Sequence, residues 1–388
     1  MKLYSTVYLL IISLILVTEY FLYKHAKNRN SIQNLLSYTS AGIFLLLFTA
    51  IKFWYEKNDN YQLTVYVMWF NYSFILLYTA KILYLLWRLR FRNESSQWYK
   101  LTIIVIIVLA ESFLLYATFV SSYALKTKQL TFTFSKLPPS FEALKIVQIT
   151  DLHLGSLMHN YAYAKQMVAI INQQHADIVV FTGDFVNNFA AEALGWDTLF
   201  VKIKAQHGKY AVLGNHDYGD YSSWESEIAK KQNFEAILQA YQHAGFELLN
   251  NSHVYIRNGS DSIALIGVEY YHKNAAKNHT QLAQAMRGIN AESFKILLTH
   301  NPMHWGKEVK EKTNIDLSLA GHTHTAQMGL EIGAHTLSPS ALIFQYSHGL
   351  YQAGNQYLYI SSGVGFVGLP LRLGISPEIT VISLRRKS

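Results

Sequence analysis

Four long apolar runs fill the first 125 residues and constrain the fold more than any other feature of the chain. Each is near or above the ~20 residues that a helix needs to cross a bilayer. A cleaved signal peptide is not favoured for the first run, because no small-residue cleavage site follows it. We therefore predict an all-α transmembrane region of about four helices over residues 1–125, rather than a bundle of shorter buried helices. The predicted helices are 4–23, 35–55, 63–87 and 101–123.

Basic residues in the loops predict the orientation of this region. The loops after the first and third runs lie on one side and carry Lys24, Lys27, Arg29, Arg88, Arg90, Arg92 and Lys100. The opposite side has fewer basic residues near the membrane, namely Lys52 and Lys57, offset by Glu56 and Asp59, then Lys126 and Lys128. By the positive-inside rule, the chain after the fourth run is extracytoplasmic. We expect an integral protein of a bacterial cell membrane.

The net charge of +8 does not indicate a nucleic-acid partner. Much of the basic excess flanks the apolar runs, where it favours contact with anionic lipid headgroups. The chain contains no cysteine, so it has no disulfide pattern that would indicate or exclude an oxidising compartment. We expect a membrane as a partner and no nucleic acid.

Three ionisable residues fall inside the apolar runs, where an unpaired charge is costly. They are Glu19, Lys81 and Glu111. Lys81 and Glu111 fall at comparable depth on consecutive antiparallel helices, so they could form a pair. Alternatively, Lys81 extends to the cytoplasmic interface, and Glu111 is protonated or faces another helix. The sequence leaves both interpretations open.

Beyond residue 128 the apolar runs become short, which indicates a second domain. "LTFTFSK" alternates at strand period. Eight further runs rich in β-branched or aromatic residues are typical of buried strands: "LKIVQIT", "DIVVFTG", "KYAVLG", "SIALIGV", "FKILLT", "IDLSLAG", "QYLYIS" and "EITVISL". Helical spacing from Ala164 to Ile171 and the polar stretch from Trp224 to Gly245 indicate helices between the early strands. We predict one α/β domain over residues 128–388.

Residues of the types that bind metals follow five of these strands. They are Asp151 and His153, Asp184, Asn215 with His216 and Asp217, His300, and His322 with His324. Because the carboxyl ends of strands in α/β sheets meet at one crevice, we expect these side chains to converge. Glycine precedes Asp184, Asn215 and His322, which lets the backbone approach a bound ion closely.

The pair His322 and His324 indicates two ions rather than one. Side chains two positions apart in an extended segment point the same way, so they can reach two neighbouring ions. Two divalent ions ~3.5–4 Å apart repel unless they share an anion, and Asp184 is the candidate bridge. Imidazole, carboxylate and amide ligands without thiolate suit Zn, Fe or Mn. Such a pair can hold a bridging hydroxide in line with phosphorus, which predicts phosphoester hydrolysis.

The ordered motifs "DLH", "GDFV", "GNHD", "TH" and "GHTH" resemble the signature of the calcineurin-like metallophosphoesterase family. The resemblance covers Lys145 to about His324 and continues more loosely through "SSGVG", "LPLRLG" and "PEITVISL", as in membrane-associated bacterial members. It implies a two-sheet αββα sandwich with the site at its top. It also implies that Asp151, His153, Asp184 and His324 hold one ion, while Asp184, Asn215, His300 and His322 hold the other.

The resemblance further implies roles for His216 and Asp217. His216 would protonate the leaving oxygen or hold the phosphate, a role worth roughly 10²–10⁴ in rate. Asp217 would support the loop or orient His216. Asn187 stands where many members have aspartate, which could weaken the orientation of His216. Thr325 and Ala326 stand where the family often has two glycines, which narrows the space near the ion.

The expected function is that of a membrane-anchored phosphoesterase with two divalent ions. Its substrate would contain a phosphodiester or pyrophosphate, and the membrane region favours a phospholipid, a lipid-linked nucleotide or another headgroup near the bilayer. The alternative is a non-catalytic metal-binding sensor or scaffold that recognises a phosphorylated ligand. Arg372 contacts a phosphate, or else it has a packing or surface ion-pair role. His304 and Trp305 could line the mouth of the substrate site, but we favour the start of a helix near Pro302.

Overall fold

The computed structural model divides the chain into two compact units. It describes residues 2–24, 32–55, 60–91, 96–332 and 335–387. One unit comprises Met1–Asp59 and Tyr66–Ala117, and the other comprises Asn60–Val65 and Thr118–Ser388. Of the residues used to predict the orientation, Lys27, Arg29, Glu56, Lys57, Asp59 and Arg92 lie outside the described residues.

All four apolar runs are helical, as α1 (Lys2–Lys24), α2 (Ile32–Tyr55), α3 (Tyr61–Arg90) and α4 (Gln97–Phe119). Within the described residues, two helical segments are long and apolar enough to cross a membrane, Tyr61–Arg90 and Gln97–Tyr123. The structure therefore supports two crossings, fewer than the four that we predict from sequence. Within α2, the segment Ser37–Ile51 is also apolar.

A polar cluster joins the first three helices. The Nζ of Lys81 contacts Oε1 of Glu19 at 2.5 Å and donates to the Oγ of Ser40 at 2.9 Å. The Oγ of Ser37 donates to the second carboxylate oxygen of Glu19 at 3.0 Å. Lys81 thus pairs with Glu19 rather than with Glu111, the partner in one of the two interpretations that the sequence left open. The partner of the buried charge on α3 thus comes from α1 and not from α4, the next helix in the sequence.

The second unit contains two six-stranded sheets and a hairpin. Its strands are β1 (Lys126–Phe134), β2 (Lys145–Ile149), β3 (Ile178–Phe181), β4 (Lys209–Ala211), β5 (Glu247–Leu248), β6 (Ser252–Asn258), β7 (Asp261–Gly267), β8 (Lys295–Leu298), β9 (Leu317–Ala320), β10 (Leu330–Ile332), β11 (His335–Leu337), β12 (Gly349–Ala353), β13 (Gln356–Ile360) and β14 (Glu378–Arg386). The sheet orders are β1-β14-β2-β3-β4-β5 and β12-β13-β9-β8-β7-β6, and β10 pairs with β11. All nine predicted strands are present.

The two sheets pack face to face through alternating side chains. On β3, Ile178 and Val180 join one buried cluster with Ile296 and Leu298 of β8, in the other sheet. Val179 and Phe181 point to the opposite face of β3, because successive strand side chains alternate. Burial of each such side chain stabilises the fold by about 1.5–3 kcal/mol. The predicted two-sheet sandwich is confirmed.

Helices cover the outer faces of the sandwich. They are α5 (Tyr161–Gln173), α6 (Asp197–Phe200), α7 (Glu227–His243) and α8 (Leu282–Ala285). Asn160 and Ser226 cap α5 and α7, where each side chain accepts a hydrogen bond from a backbone N–H in the first turn. His304 precedes a π-helical turn at Trp305–Val309, as predicted.

Candidate metal centre

The structure brings all the predicted ligands to one end of the sandwich. Strands β2, β3 and β4 run parallel in one sheet, and β8 and β9 run parallel in the other. Each ligand lies two to four residues beyond the carboxyl end of its strand, which is where loops of neighbouring parallel strands meet. The ligand atoms form two groups, within 4.8 Å inside each group: Asp151, His153, Asp184 and His324, and then Asp184, His300 and His322.

The first group is fully buried. The Nε2 atoms of His153 and His324 lie 3.0 Å apart, and the Nε2 of His324 lies 3.2 Å from Oδ1 of Asp151. The Nε2 of His153 is 3.5 Å from Oδ2 of Asp184. Two imidazole nitrogens and two carboxylate oxygens thus lie close together, and each of these four atoms can offer a lone pair to a cation. This donor set fits a divalent cation.

The second group is centred on His300. Its Nδ1 lies 2.7 Å from the carbonyl of Thr182 and must donate to it, so Nε2 of the neutral ring is unprotonated. That Nε2 lies 3.1 Å from Oδ2 of Asp184, 3.1 Å from Oδ1 of Asn215 and 3.2 Å from Nδ1 of His322. Asn215 thus joins this group, and the residues again fit a divalent cation.

Asp184 is common to both groups. Its Oδ2 faces both His153 and His300, while its Oδ1 accepts a hydrogen bond from the backbone N–H of His216 at 2.9 Å. A Cβ atom on Gly214 would overlap with the Asp184 carboxylate, so glycine is needed at that position. The carboxylate therefore lies between the two groups.

The electrostatics hold most of these groups in the form that binds a metal. Burial lowers the pKa of His153 well below its usual value and the pKa of His322 to about 3. Burial alone would raise the pKa of Asp184, but His300 and His216 bring it well below its usual value. Burial opposes protonation of His300, yet Asp184 raises its pKa to about 9. The site therefore favours positive charge between these side chains.

His322 and His324 are not part of an extended segment, so that prediction is wrong. β9 ends at Ala320, and both histidines have left-handed backbone conformations, with φ of 76° and 48°. The turn directs His324 to the first group and His322 to the second. Asp151, His153 and Asp184 also have positive φ, so the strain is concentrated at the candidate centre.

His216 lies beside both groups without being a member of either. Its Nδ1 is 2.7 Å from the backbone carbonyl of Asn187 and its ring centroid is 4.8 Å from that of His153. Burial lowers the pKa of His216. Because Nδ1–H donates a hydrogen bond to this carbonyl, Nε2 is the ring nitrogen that remains available to a ligand. The Asn187 side chain instead bonds to Ser156, so a backbone atom orients His216.

Asp217 ties two of the site loops together. Burial and Asp184 raise its pKa to about 7. Its hydrogen bonds in the described part of the chain come from the backbone N–H groups of Asp184, Phe185, Val186 and Gly214 and from the hydroxyl of Tyr241. These contacts support the loops after β3 and β4, which is the loop-supporting alternative that the sequence left open.

Arg372 is buried behind the site. Its guanidinium is fully covered and donates to the carbonyls of Gly365 at 3.0 Å and Ser362 at 2.9 Å. The N–H of Gly365 donates in turn to the carbonyl of Asp151 at 2.8 Å. Burial lowers the pKa of Arg372 to about 10, so it stays charged at neutral pH. The internal-packing alternative for Arg372 is the one that the structure supports.

The sequence analysis missed a cleft beside Asn215. It is lined by Asn215, Tyr218, Asp220, Tyr221, Tyr270, His272, Lys277 and His279. The Nδ2 of Asn215 donates to the Tyr221 hydroxyl at 2.9 Å, and the Tyr221 ring stacks on His216 at 4.5 Å. Tyr218 and Tyr221 follow "GNHD" within four residues, which is the signal available in the sequence. His272 and His279 lie far from any motif.

A family model described as calcineurin-like phosphoesterase matches residues 144–326. The matched segment contains every predicted metal ligand and His216. It ends close to the last ligand, His324, and covers strands β2 to β9. The match therefore spans both groups of ligand atoms.

Relatives with similar sequences include proteins with and without transmembrane descriptions. The uncharacterized metallophosphoesterase YkuE of Bacillus subtilis is 29% identical over 273 residues, which cover 70% of this chain and 89% of that protein. A "transmembrane protein with metallophosphoesterase domain" from Bos taurus is 30% identical over 64% of this chain and 55% of its own length. The Danio rerio protein of that description is 27% identical over 89% of this chain and 78% of its own length.

Proposed function

We propose that this chain, a metal-dependent phosphoesterase whose residues 144–326 match the calcineurin-like phosphoesterase family model, hydrolyses a phosphodiester or pyrophosphate at a membrane surface. The proposed substrate is a lipid or a lipid-linked headgroup. Two membrane-crossing segments and relatives described as transmembrane proteins associate the chain with a membrane. The observation that carries the proposal is the pair of ligand groups that share Asp184.

The proposed ligands divide as the two groups do. Asp151, His153, Asp184 and His324 hold one divalent ion, and Asp184, Asn215, His300 and His322 hold the other. Mn, Zn or Fe suits these nitrogen and oxygen donors. When bound, the ions would supply Lewis acidity that stabilises the negative charge developing on the phosphoryl oxygens.

His216 is the proposed general acid. Its backbone N–H is fixed by Asp184 and its Nδ1 by the carbonyl of Asn187, so the ring has a defined orientation beside the first group. In its protonated form, the Nε2–H donates to the leaving oxygen or to a phosphate oxygen. An anionic substrate favours that protonated form, which offsets the effect of burial on its pKa.

Asp217 and the cleft have supporting roles. Asp217 holds the loops that carry Asp184 and Asn215 and thereby positions two proposed ligands. The cleft places the hydroxyl of Tyr221 and the basic side chains of His272 and Lys277 near the second group. These side chains suit the polar, anionic part of a phosphoester substrate.

Replacing His216 with alanine tests the proposal directly. We expect His216→Ala to lower turnover of a soluble phosphodiester by roughly 10²–10⁴-fold while the metal content of the purified protein is unchanged. His243→Ala is the matched control, because His243 is exposed at the end of α7 and lies outside both ligand groups. Unchanged turnover in His216→Ala would support the sensor or scaffold alternative instead.

The substrate proposal needs a separate measurement. Elemental analysis should find two divalent ions per chain, and the protein restored with those ions should cleave a phosphodiester in a panel that includes phospholipids and lipid pyrophosphates. If it cleaves soluble nucleotide diesters well but leaves every lipid phosphoester in micelles intact, the proposed lipid substrate is wrong.

A further inference from the structure

Exposed aliphatic side chains lie on one face of the hairpin formed by β10 and β11. Leu330 is paired with Leu337 across the two strands, and Ile332 lies two positions from Leu330 on the same face. Each of the three is more than half exposed. In a soluble protein, a two-stranded ribbon with an uncovered aliphatic face marks a surface that meets something apolar.

A short turn after the hairpin adds the most exposed residues of this region. The 3₁₀ turn Pro339–Leu342 ends with Leu342, which is 91% exposed, and Ile343 follows it at 75%. We call the five exposed side chains the apolar rim: Leu330, Ile332, Leu337, Leu342 and Ile343.

Hydrogen bonds attach the rim to the loop that carries two proposed ligands. The Oγ of Ser338 donates to the carbonyl of Thr325 at 2.6 Å, next to His324, and accepts from the N–H of Ser340. The Phe344 ring, directly after the rim, lies 5.8 Å from the His322 ring. The rim is therefore a fixed part of the site's surroundings and lies beside the second ligand group.

The sequence around the rim is almost free of charge. From residue 317 to residue 371 the chain has one acidic residue, Glu331, and no lysine or arginine, although it contains 33 basic and 25 acidic residues in total. Protein–protein interfaces usually have polar residues around their apolar centre. An uncharged aliphatic surface is instead suited to the hydrocarbon of a lipid leaflet.

The covalent connection between α4 and the second unit is short. α4 is one of the two membrane-crossing segments and ends at Phe119, while β1 begins at Lys126. Seven Cα–Cα steps span at most about 25 Å. The effective concentration of lipid around the second unit is therefore high.

We propose that the apolar rim inserts into the lipid leaflet and holds the metal centre at the level of the lipid phosphates. Interfacial side chains of this kind reach about 5–10 Å into the boundary between headgroups and acyl chains. The substrate is then a phosphoester of a lipid that remains in the bilayer. That statement about the substrate rests on the proposed phosphoesterase function, whereas the insertion itself is independent of turnover.

The absence of cysteine allows the insertion to be measured at single positions. Leu342→Cys and Leu337→Cys, each labelled with an environment-sensitive fluorophore, are reconstituted as the full chain into phosphatidylcholine vesicles that contain doxyl-labelled lipid. We expect blue-shifted emission and strong quenching at both positions. The quenching should persist at high salt and be the same when phosphatidylglycerol is added, because the rim is uncharged.

The matched control is Ala291→Cys, an exposed position in the loop before β8, at the opposite end of the strand from the metal centre. Its label should report water and escape quenching. Water-like emission at both rim positions would overturn the proposal, and so would disulfide-linked dimers of unlabelled Leu342→Cys formed in the vesicles, which would place the rim between copies of the chain. Turnover of bis(p-nitrophenyl) phosphate by the same proteins tests the phosphoesterase function separately, so the two ideas fail independently.

The pair of substitutions Leu342→Ser and Ile343→Ser provides a second measurement. We expect turnover of a bilayer-embedded lipid phosphodiester to fall by about tenfold or more, with soluble diester turnover unchanged. Ile228→Ser is the control, since Ile228 is an equally exposed aliphatic residue outside the rim. Equal loss on both substrates would mean that the rim supports the site rather than lipid contact.

Discussion

At the residue scale, the side-chain types of the centre are readable from sequence, but their backbone conformations are not. Thr325 and Ala326 show this most clearly, with φ of 54° and 52°. The related family often has two glycines at these positions, and glycine adopts positive φ without steric cost. The two residues carry a conformation that their Cβ atoms disfavour, directly after His324.

Replacing Ala326 with glycine should therefore stabilise the protein. The steric cost of a left-handed backbone conformation for alanine is about 1–2 kcal/mol, and glycine removes it. The greater conformational freedom of glycine in the unfolded chain offsets about 0.5–1 kcal/mol of this gain in stability. We expect a net rise of about 0.5–1 kcal/mol in the free energy of unfolding, measured by urea titration. Ala169→Gly, at an exposed helical position in α5, should instead lower it by about 1 kcal/mol. A loss in both variants would contradict the strain argument.

Arg372 supports the site from behind and should affect catalysis without touching substrate. Arg372→Lys leaves buried carbonyls of the 361–367 loop without donors, which should lower the free energy of unfolding by about 1–3 kcal/mol. We expect kcat for a soluble diester to fall while KM stays constant. Arg257→Lys, on the exposed end of β6, is the control. A rise in KM with unchanged kcat would indicate a phosphate contact instead.

At the scale of elements, neighbouring strands are easier to predict than neighbouring helices. Parallel strands β2, β3 and β4 are adjacent in sequence and in the sheet, so their ends converge as predicted. Helices packed in a bundle have no such rule, and Lys81 finds its partner on α1 rather than on α4. Hydropathy fixes the depth of a charge but not the direction in which it points.

The Glu19–Lys81 pair gives a prediction for the helical unit. Lys81→Met leaves the Glu19 carboxylate without its cation, and loss of one partner of a buried pair costs about 3–5 kcal/mol. The double variant Glu19→Leu with Lys81→Met should recover most of that stability. Thermal unfolding of the detergent-solubilised protein measures both.

Glu111→Gln is the control for this pair and should have little effect in either background. Rescue of Lys81→Met by a substitution at Glu111, rather than at Glu19, would show that the pairing in the structure is wrong.

At the scale of the whole molecule, the metal centre connects loops from both sheets. Asp151 and Asp184 follow strands of one sheet, and His300 and His322 follow strands of the other. Bound ions therefore stabilise the sandwich as well as the chemistry, because a ligand that binds only the folded state shifts unfolding by mass action.

Removal of metal should therefore lower the unfolding temperature of the second unit. A site saturated at 100 times its dissociation constant contributes about 2.7 kcal/mol, which corresponds to about 5–10 °C for a domain of this size. Differential scanning fluorimetry with and without a chelator measures the shift. Asp184→Asn should unfold at a temperature that the chelator does not change, and a chelator effect of normal size in that variant would exclude Asp184 as a ligand.

The sequence by itself predicted nine of the strands, together with the types of the candidate metal ligands and their order along the chain. Period-2 patterns and polar residues at strand ends are local properties, and Asp151, Asp184, Asn215, His300 and His322 could each be identified from them. Apolar length likewise predicted where the first four helices lie, and two helical segments meet the criterion for crossing a membrane within the described residues.

Only the tertiary structure decided which of these groups meet. The left-handed turns that send His322 and His324 to different ligand groups, the backbone carbonyl that orients His216 and the burial of Arg372 all depend on contacts between residues far apart in sequence. The apolar rim is likewise visible only in the fold, since exposure of a leucine is set by what packs against it. Local sequence fixes what a side chain can do, whereas long-range packing fixes where it does it.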